Sequence, residues 1–592
     1  EEIEETKEAY YLWLGIPYGQ PPVGDLRWKA PQPFTSTARI NAHQFGPMCS
    51  QAKPVFERNI YTDITYVGQE DCLYLNVWSP AISAQKKPAK KERLPVMVWI
   101  HGGGNIAGSG EIKGGTLAAT QDLVVVSMNY RLGPFGWLSH SALRGDAASD
   151  DEASGNFGTL DIIQALQWVK DNIAAFGGDP NRVTIFGLSA GGWNVFSLLH
   201  SPKAKGLFHR AISHSGVPRM ASMADAENVL DDEDPGHAQS SGELLLQLLQ
   251  DDGLAADRDS AKKRLQAMDA KKTAAYLRSK TYEQLELSLD RLARANVELF
   301  ASREAPTGTR LNGMFRTGAT DLPQTNHAAP KLFNDGAVLS AGGFHDALAR
   351  GDFNQVPVIF GTTRDESKLF QTFDREFIGN IDGKRFIKEQ QRYDLVSEYV
   401  SKLWKAAGAD QPAAAFAAQG ASPFVFRFDW DQLPTDLNGE NIQALYGASH
   451  AIDAPFIFGG EKSLFSDHEL SKEDRELSAA VMSYWAEFAY TGKPGKGRKG
   501  DLPKWSPWDD RSIESNKMII LDSVTGGGIR MSSESGNRDQ VLAQIPHDPR
   551  VQDAKKRCRL YCDILEHSHT FITLAEFKSL ENGLCVNEGA AK

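Results

Sequence analysis

The chain has 592 residues, of which 41% are hydrophobic and 24% are charged, with 53 Gly and 28 Pro. This balance is typical of a globular protein and excludes a disordered, collagen-like or coiled-coil chain. The net charge of −12 argues against a nucleic-acid partner, because phosphate binding normally needs a basic face. The longest apolar runs, such as Leu94–Ile100, are far shorter than the ~20 residues of a membrane-spanning helix, so no membrane span is expected.

The first residue is Glu1, which a removed signal peptide or a cloning decision would each explain. If two disulfides form, the odd number of cysteines leaves one thiol unpaired. The five are Cys49, Cys72, Cys558, Cys562 and Cys585. Disulfides persist only in oxidising compartments, and the sequence contains no Asn-x-Ser/Thr glycosylation acceptor. We therefore expect a secreted or periplasmic protein, of bacterial origin, after removal of a signal peptide.

The first third of the chain alternates short apolar runs with amphipathic stretches, the pattern of a parallel sheet covered by helices. A predicted helix over residues 160–175 carries apolar side chains at helical spacing. The predicted strands are Leu94–Ile100, 123–127, 183–186, 356–360 and Phe424–Phe428. This pattern predicts the α/β fold class with a mostly parallel central sheet.

Residues 222–330 differ from this pattern, because they are charged and favour helices. We interpret them as an inserted helical layer, with helices predicted over 242–249, 262–277 and 282–300. Further helices are predicted near 475–489 and 555–566, and residues 550–592 are expected to form a C-terminal helical extension. No linker is long or polar enough to separate autonomous domains, so residues 1–592 are predicted to form a single domain.

The strongest chemical signal is the pentapeptide Gly187-Leu188-Ser189-Ala190-Gly191. It lies between a predicted strand and an apolar helix through Val195 and Leu199, where a G-x-S-x-G turn presents a nucleophilic serine. Small residues flank the serine because the turn is tight. A glycine-rich turn with an incidental serine is the alternative explanation, and the strand–turn–helix context disfavours it.

A second motif, His101-Gly102-Gly103-Gly104, directly follows the predicted strand Leu94–Ile100. Hydrolases of this architecture supply oxyanion-binding amides from that position. Consecutive glycines let backbone N–H groups converge on a carbonyl oxygen without obstruction by side chains. The alternative is a flexible loop without a ligand.

Longer motifs carry a family resemblance. They are Glu70-Asp71-Cys72-Leu73-Tyr74-Leu75-Asn76, Gly155-Asn156-Phe157-Gly158, Trp168-Val169, Asn172-Ile173 and Phe176-Gly177-Gly178-Asp179-Pro180. Together they resemble the type-B carboxylesterases, the family that includes the cholinesterases and several fungal lipases. The similarity extends from Gly15-Ile16-Pro17-Tyr18 to Trp505-Ser506-Pro507-Trp508. The resemblance implies an α/β-hydrolase fold and a serine hydrolase.

The resemblance also implies the other catalytic residues. The acid lies in Gly361-Thr362-Thr363-Arg364-Asp365-Glu366, where Glu366 is preferred and Asp365 is the alternative. The general base is His450, which completes the chain order of nucleophile, acid and histidine. Ser189 would attack the ester, His450 would transfer the proton, and Glu366 would orient the imidazole.

Further positions follow from the same resemblance. The oxyanion donors are the amides of Gly103, Gly104 and Ala190, and Cys49 pairs with Cys72. Ser215 and Asp453 match positions that support the histidine, although helix capping or buried hydrogen bonding would explain both residues as well.

The sequence therefore predicts a carboxylic ester hydrolase that acts on small-molecule esters with short to medium acyl or aromatic groups, and that needs no metal or organic cofactor. One alternative is a specialist for a bulky or acidic ester, such as a metabolite, phthalate or polyester fragment. Arg219 could then receive a substrate carboxylate, although a surface arginine is the preferred interpretation of this residue. A non-catalytic cholinesterase-like binding protein is the other alternative, and the complete set of catalytic residues disfavours it. The sequence does not predict the oligomeric state.

Overall fold

The computed structural model describes residues 9–53, 65–80, 90–145, 147–301, 329–465, 468–567, 571–572 and 574–585. The chain forms two compact units. The first consists of Glu1–Ile212, Pro218–Arg310 and Thr320–Val356, and the second of Ser213–Val217, Leu311–Ala319 and Pro357–Lys592. Parts of the predicted helical layer (302–328) and of the predicted C-terminal extension (568–570, 573 and 586–592) lie outside the described residues. The single domain over 1–592 stays a prediction.

The first unit is built on a sheet whose interior strands are almost fully buried. Its strands are β1 Tyr10–Pro17, β2 Gln51–Ala52, β3 Tyr66–Val67, β4 Tyr74–Pro80, β5 Leu94–Ile100, β6 Val124–Met128, β7 Gly178–Leu188 and β8 Arg210–His214, of which residues 210–212 belong to this unit. The strand order is β1-β4-β6-β5-β7-β8, while β2 and β3 form a separate ribbon. Strand β5 runs parallel to both β6 and β7, and the edge pairs β1/β4 and β4/β6 are antiparallel.

Helices connect the strands of the first unit, as the predicted α/β pattern requires. They are α1 Gly115–Gln121, α2 Gly133–Gly136, α3 Ser141–Arg144, α4 Asp150–Ala153, α5 Phe157–Asn172, α6 Ala190–His200, α7 Met223–Glu227, α8 Ser241–Asp251, α9 Arg258–Gln266, α10 Ala270–Arg278, α11 Tyr282–Ala301 and α12 Phe344–Arg350. Helix α6 is buried along its whole length, which fixes the residues that follow β7.

The second unit contains parallel strands, β9 Val358–Thr363, β12 Phe424–Phe428 and β13 Met518–Leu521, with an antiparallel edge strand, β14 Arg530–Ser532. A separate hairpin joins β10 Ile378–Ile381 to β11 Lys384–Ile387. The helices are α13 Lys368–Gln371, α14 Gln390–Lys405, α15 Gln411–Ala418, α16 Ile442–Tyr446, α17 Ala454–Phe458, α18 Lys472–Thr491, α19 Arg538–Gln544, α20 Ala554–His567 and α21 Leu574–Ser579. Both units therefore confirm the predicted α/β class.

Two element predictions were wrong in detail. The helix predicted over 262–277 is two helices, because the Asp269 carboxylate accepts the backbone N–H of Lys272 and caps the start of α10. The strand predicted over 183–186 is longer and begins at Gly178. Pro180 is tolerated there because the pairing of β7 with β5 is irregular between Leu94 and Val96.

Cys49 forms a disulfide with Cys72, and Cys558 forms one with Cys585. Cys562 takes part in neither disulfide and is half-buried. Both disulfides fit an extracellular or lumenal location, because such bonds persist in oxidising compartments. Within the described residues, no helix has both the length and the apolar character that crossing a membrane requires.

Candidate active site

Ser189 occupies a strained turn between β7 and α6. Its backbone has φ 59° and ψ −121°, a region that non-glycine residues rarely adopt. The Trp193 N–H donates to the Ser189 carbonyl at 3.0 Å, which starts the helix immediately after the serine. The turn therefore projects the serine side chain from the carboxyl end of a buried parallel strand.

The flanking glycines are required by close backbone approaches. A Cβ on Gly187 would lie 2.5 Å from the carbonyl of Gly191, and a Cβ on Gly191 would lie 2.0 Å from the carbonyl oxygen of Ile100. Both distances are far inside van der Waals contact, so no other residue fits at either position without backbone movement. The G-x-S-x-G spacing is thus explained by packing of the turn against β5.

The glycine loop after β5 lies against the same turn. A Cβ on Gly102 would lie 2.8 Å from the Leu188 carbonyl oxygen and 3.2 Å from the Ser189 Cβ atom. Gly103 and Gly104 both have positive φ values, 98° and 67°, which turn their peptide groups out of the strand direction. Gly102 therefore allows the loop to approach the serine, and the next two glycines set the orientation of its amides.

Ala190 supplies a third amide in this region. It is the first residue of α6, and the first N–H groups of a helix have no carbonyl one turn earlier to bind. Such groups carry partial positive charge and favour a developing anion. The three amides predicted as oxyanion donors all belong to the first unit, two in the glycine loop and one at the start of α6.

Buried polar contacts hold the glycine loop in place. The Tyr130 hydroxyl donates to the His101 carbonyl at 2.7 Å, and the two rings stack with centroids 4.2 Å apart. The Asn194 amide donates to the Asn105 side chain at 2.9 Å, which ties the loop to α6. Burial lowers the pKa of His101 to about 4, so this ring is neutral at physiological pH and adds no charge to the loop.

His450 forms a short hydrogen bond with Glu366 in the second unit. The distance from His450 Nδ1 to the Glu366 carboxylate is 2.5 Å, and both side chains are buried. The second carboxylate oxygen accepts the Thr363 N–H at 2.7 Å, at the end of β9. Among the described residues, His450 Nε2 has no hydrogen-bond partner. Carboxylate contact at Nδ1 leaves Nε2 as the nitrogen that can exchange a proton.

Aromatic rings surround the His450 imidazole. Phe370 and Trp404 lie with centroids 5.1 and 5.2 Å from it, and these two rings stack on each other. Asp365 faces elsewhere, since it forms an ion pair with Arg364 and accepts the Ala448 N–H at 3.0 Å. Of the two candidate acids, it is thus Glu366 that contacts the histidine.

The two predicted supporting residues have different partners. The Ser215 N–H donates to the Gly361 carbonyl at 2.7 Å, and its carbonyl accepts the Trp404 indole N–H at 3.1 Å. Ser215 thus connects β9 to the ring that contacts His450. Asp453 instead accepts from His214 Nδ1 at 2.9 Å.

His214 was not identified from the sequence. Its Nε2 accepts the Trp485 indole N–H at 2.8 Å, so the ring has a partner at each nitrogen. The available sequence signal was its position directly before Ser215, but the neighbouring sequence does not indicate its distant partners, Asp453 and Trp485. In the parts of the chain that the structure describes, no group of three His, Cys, Asp or Glu side chains could hold a metal ion.

Comparison with known proteins identifies the family. The model of the carboxylesterase family matches residues 1–402 and 384–525. The para-nitrobenzyl esterase of Bacillus subtilis (strain 168) is 32% identical over 547 residues, which cover 88% of this chain and 92% of that protein. The chain belongs to the carboxylesterase family. The predicted type-B resemblance is thereby confirmed.

Other relatives of this carboxylesterase agree. Carboxylesterase 1D of Rattus norvegicus is 30% identical over 557 residues, covering 86% of this chain and 85% of that protein. A solved structure titled PNB esterase matches with a TM-score of 0.60 and 28% identity, covering 88% of this chain and 93% of that one. The fold is thus the predicted α/β-hydrolase fold, and the protein is a carboxylic ester hydrolase.

Proposed function

We propose that this carboxylesterase hydrolyses small carboxylic esters through an acyl-enzyme on Ser189, with His450 as general base and acid and Glu366 as the orienting carboxylate. The observation that carries the proposal is the strained backbone of Ser189, at the end of a buried strand and beside the glycine loop. Strain of this kind persists where the surrounding structure requires it, and such positions cluster at active sites. The His450–Glu366 hydrogen bond supports the assignment of the other two roles.

In the acylation step, Ser189 Oγ attacks the ester carbonyl carbon while its proton passes to His450 Nε2. The carbonyl π bond breaks and leaves a negative oxygen, which the amides of Gly103, Gly104 and Ala190 stabilise. One such donor typically contributes about 3 kcal/mol of transition-state stabilisation. The Glu366 carboxylate stabilises the imidazolium that forms. The intermediate then collapses, and His450 returns its proton to the leaving alcohol.

In the deacylation step, water replaces the alcohol. His450 takes a proton from the water as it attacks the acyl carbon, the same amides stabilise the second tetrahedral oxyanion, and the proton then goes to Ser189 Oγ. The products are the carboxylic acid and regenerated enzyme. Atoms and charges balance without a cofactor.

The first experiment measures hydrolysis of p-nitrophenyl esters from acetate to palmitate by the wild type and by Ser189→Ala. We expect the wild type to prefer short to medium acyl groups and Ser189→Ala to lose at least about 10⁴-fold in kcat. Ser141→Ala removes an exposed serine from the same unit and serves as the control, with unchanged kcat. Retained turnover in Ser189→Ala would refute the assignment of the nucleophile.

Covalent labelling separates a selective enzyme from a binding protein. A fluorophosphonate probe reacts with an activated serine whatever the preferred ester. We expect one label per chain in the wild type and in Ser141→Ala, and none in Ser189→Ala. A folded wild type that neither labels nor hydrolyses any ester of the series would favour the non-catalytic alternative.

We also propose a secreted or periplasmic location, and a bacterial origin. The two disulfides support an oxidising compartment, and the absence of Asn-x-Ser/Thr acceptors from the sequence supports the origin. Titration of thiols in the denatured, unreduced protein from its native host tests the location. One thiol per chain is expected, and five would contradict the proposal.

A further inference from the structure

An arginine lies beside the nucleophile turn without a counter-ion. The Arg219 guanidinium carbon lies 5.0 Å from the centroid of the Trp193 ring, on which it makes a cation–π contact. Trp193 is on α6, one helical turn after Ser189, and its N–H donates to the Ser189 carbonyl. Ser189 is the N-cap residue of α6, so Arg219 lies on a ring in the first turn of the helix that begins at the serine.

The absence of a counter-ion is unusual for a side chain in this position. Arg219 is half-buried, yet among the described residues it has no ion-pair or hydrogen-bond partner. Burial lowers the pKa of Arg219 to about 10, so the guanidinium is charged at neutral pH although its surroundings disfavour the charge. Two other half-buried arginines of the first unit do have a counter-ion, since Arg27 pairs with Glu70 and Arg258 with Glu243. An unpaired, desolvated cation is a site where an anion binds favourably.

A lysine lies next to this arginine. Ala221 and Phe333 form a parallel bridge, in which the Ala221 N–H donates to Leu332 and the Asn334 N–H donates to Ala221. Arg219 precedes Ala221 by two residues, and Lys331 precedes Phe333 by two. The bridge therefore brings the two segments together, and the Arg219 charge acts on the Lys331 ammonium.

The position of Lys331 is fixed by the chain that follows it. The Asn156 side chain donates to the Phe333 carbonyl at 2.8 Å and accepts the Phe333 N–H at 2.9 Å. The pKa of Lys331 is lowered to about 7, chiefly by burial; Glu286 raises it and the Arg219 charge lowers it. Glu286 thus interacts with Lys331 and also forms a hydrogen bond with Tyr282.

We propose that Arg219 and Lys331 form an anion subsite of the esterase, and that its preferred substrates carry a carboxylate in addition to the ester that is cleaved. The inference rests on the proposed function, in which Ser189 is the nucleophile. A planar guanidinium matches a carboxylate with two parallel hydrogen bonds, and an adjacent ammonium adds a third donor. The Trp193 ring provides the apolar surface for the part of the substrate that joins the carboxylate to the ester.

The test compares esters that differ only in charge. On the acyl side, the substrates are p-nitrophenyl monoesters of adipic and suberic acid, each paired with its methyl-capped form. On the alcohol side, 4-acetoxybenzoate is paired with its methyl ester. In one of the two series we expect the wild type to favour the charged ester by about 10- to 100-fold in kcat/KM.

Variants assign that preference to the two cations. Arg219→Gln is expected to lose at least about tenfold of kcat/KM for the charged ester while the neutral ester changes less than about threefold. Arg219→Lys keeps the charge without the planar guanidinium. Its kcat/KM for the charged ester is expected to lie between the values of the wild type and Arg219→Gln. Lys331→Gln removes the other cation, and it keeps the test decisive if Arg219→Gln does not fold. Lys272→Gln removes an exposed lysine of the same unit and is the matched control.

The pH dependence gives an independent measure on the unmodified enzyme. Lys331 loses its proton as the pH rises through about 7, while Arg219 and the substrate carboxylate stay charged. The ratio of kcat/KM for charged and neutral esters should therefore decrease between pH 6 and 8.5, and steps common to both substrates cancel in that ratio. A constant ratio would remove Lys331 from the subsite.

The outcomes separate this inference from the proposed function. Efficient turnover of neutral esters without preference for a charged ester in either series overturns the anion subsite and leaves the esterase mechanism intact. If no ester of either series is cleaved and the fluorophosphonate does not label Ser189, both proposals are overturned together.

Discussion

Two buried histidine–carboxylate pairs lie in the second unit, His450 with Glu366 and His214 with Asp453. In both pairs Nδ1 contacts a carboxylate oxygen, at 2.5 and 2.9 Å. The difference is at the other nitrogen. His214 Nε2 accepts the Trp485 indole N–H, whereas His450 Nε2 has no partner among the described residues.

The comparison shows why a histidine–carboxylate pair alone does not indicate catalysis. An indole N–H can only donate, so His214 must accept at Nε2 and carry its proton on Nδ1, where it donates to Asp453. Both nitrogens then have hydrogen-bond partners, and a proton on Nε2 would point at the indole N–H, which is itself a donor. In His450 the carboxylate fixes the same tautomer, but Nε2 is available as an acceptor. We therefore expect one pair to act on substrate and the other to stabilise the fold.

The largest expected effect is that of removing each histidine in turn. His450→Ala should lower kcat for p-nitrophenyl butyrate by at least about 10⁴-fold, because no other base replaces Nε2. His214→Gln should retain kcat within about tenfold, since that ring exchanges no proton. Thermal unfolding of both variants reports whether they fold. Equal losses of kcat in two folded variants would show that the distinction between the pairs is wrong.

The carboxylates give the next largest effect. Glu366→Gln should lower kcat by about 10³- to 10⁴-fold, because the amide cannot stabilise the imidazolium and can favour the wrong tautomer. Asp365→Asn is the matched control from the adjacent position. Its carboxylate contacts Arg364 and the Ala448 N–H, so kcat should change less than about tenfold. A larger loss in Asp365→Asn than in Glu366→Gln would reverse the assignment of the acid.

The sequence predicted the elements of the fold where local patterns are strong. The strand Leu94–Ile100 has its predicted bounds, and the α/β class follows from alternation of strands and helices. The sequence prediction missed that α10 is a separate helix, because a single carboxylate, that of Asp269, sets where it begins. A capping residue of this kind can start a new helix within a continuous apolar pattern, and hydrophobic periodicity does not reveal it.

The sequence predicted site residues only where a motif identifies them. Glu366 and His450 come from positions that resemble a known family, and their contact is visible only in the fold. The second pair carries no such signal, since Asp453 and His214 are 239 residues apart and Trp485 is 271 residues from His214. The proximity of Arg219 and Lys331 likewise depends on a bridge between distant segments.

The third prediction concerns Trp485, whose indole N–H is the donor that distinguishes the two histidine–carboxylate pairs. Trp485→Phe keeps an aromatic ring but leaves His214 Nε2 buried without a donor, which should lower the free energy of unfolding by about 1–3 kcal/mol. Chemical denaturation measures the loss, and kcat should remain within about twofold. Nitrogen NMR of the wild type should show His214 protonated at Nδ1. A wild-type spectrum with the proton on Nε2 would contradict the proposed hydrogen-bond direction.

The smallest expected effect concerns Trp404, the tryptophan next to the other histidine. Here the indole ring contacts the His450 imidazole while its N–H donates to the Ser215 carbonyl. Trp404→Phe keeps the ring contact and loses one neutral hydrogen bond, so the free energy of unfolding should fall by about 1 kcal/mol with kcat within about threefold. Trp404→Leu also removes the ring and should lower kcat further, because the imidazole then has more freedom. Identical kcat values for the two variants would show that hydrogen bonding to Glu366 alone orients His450. In that case the two histidine–carboxylate pairs would differ only in the group that contacts each Nε2 atom.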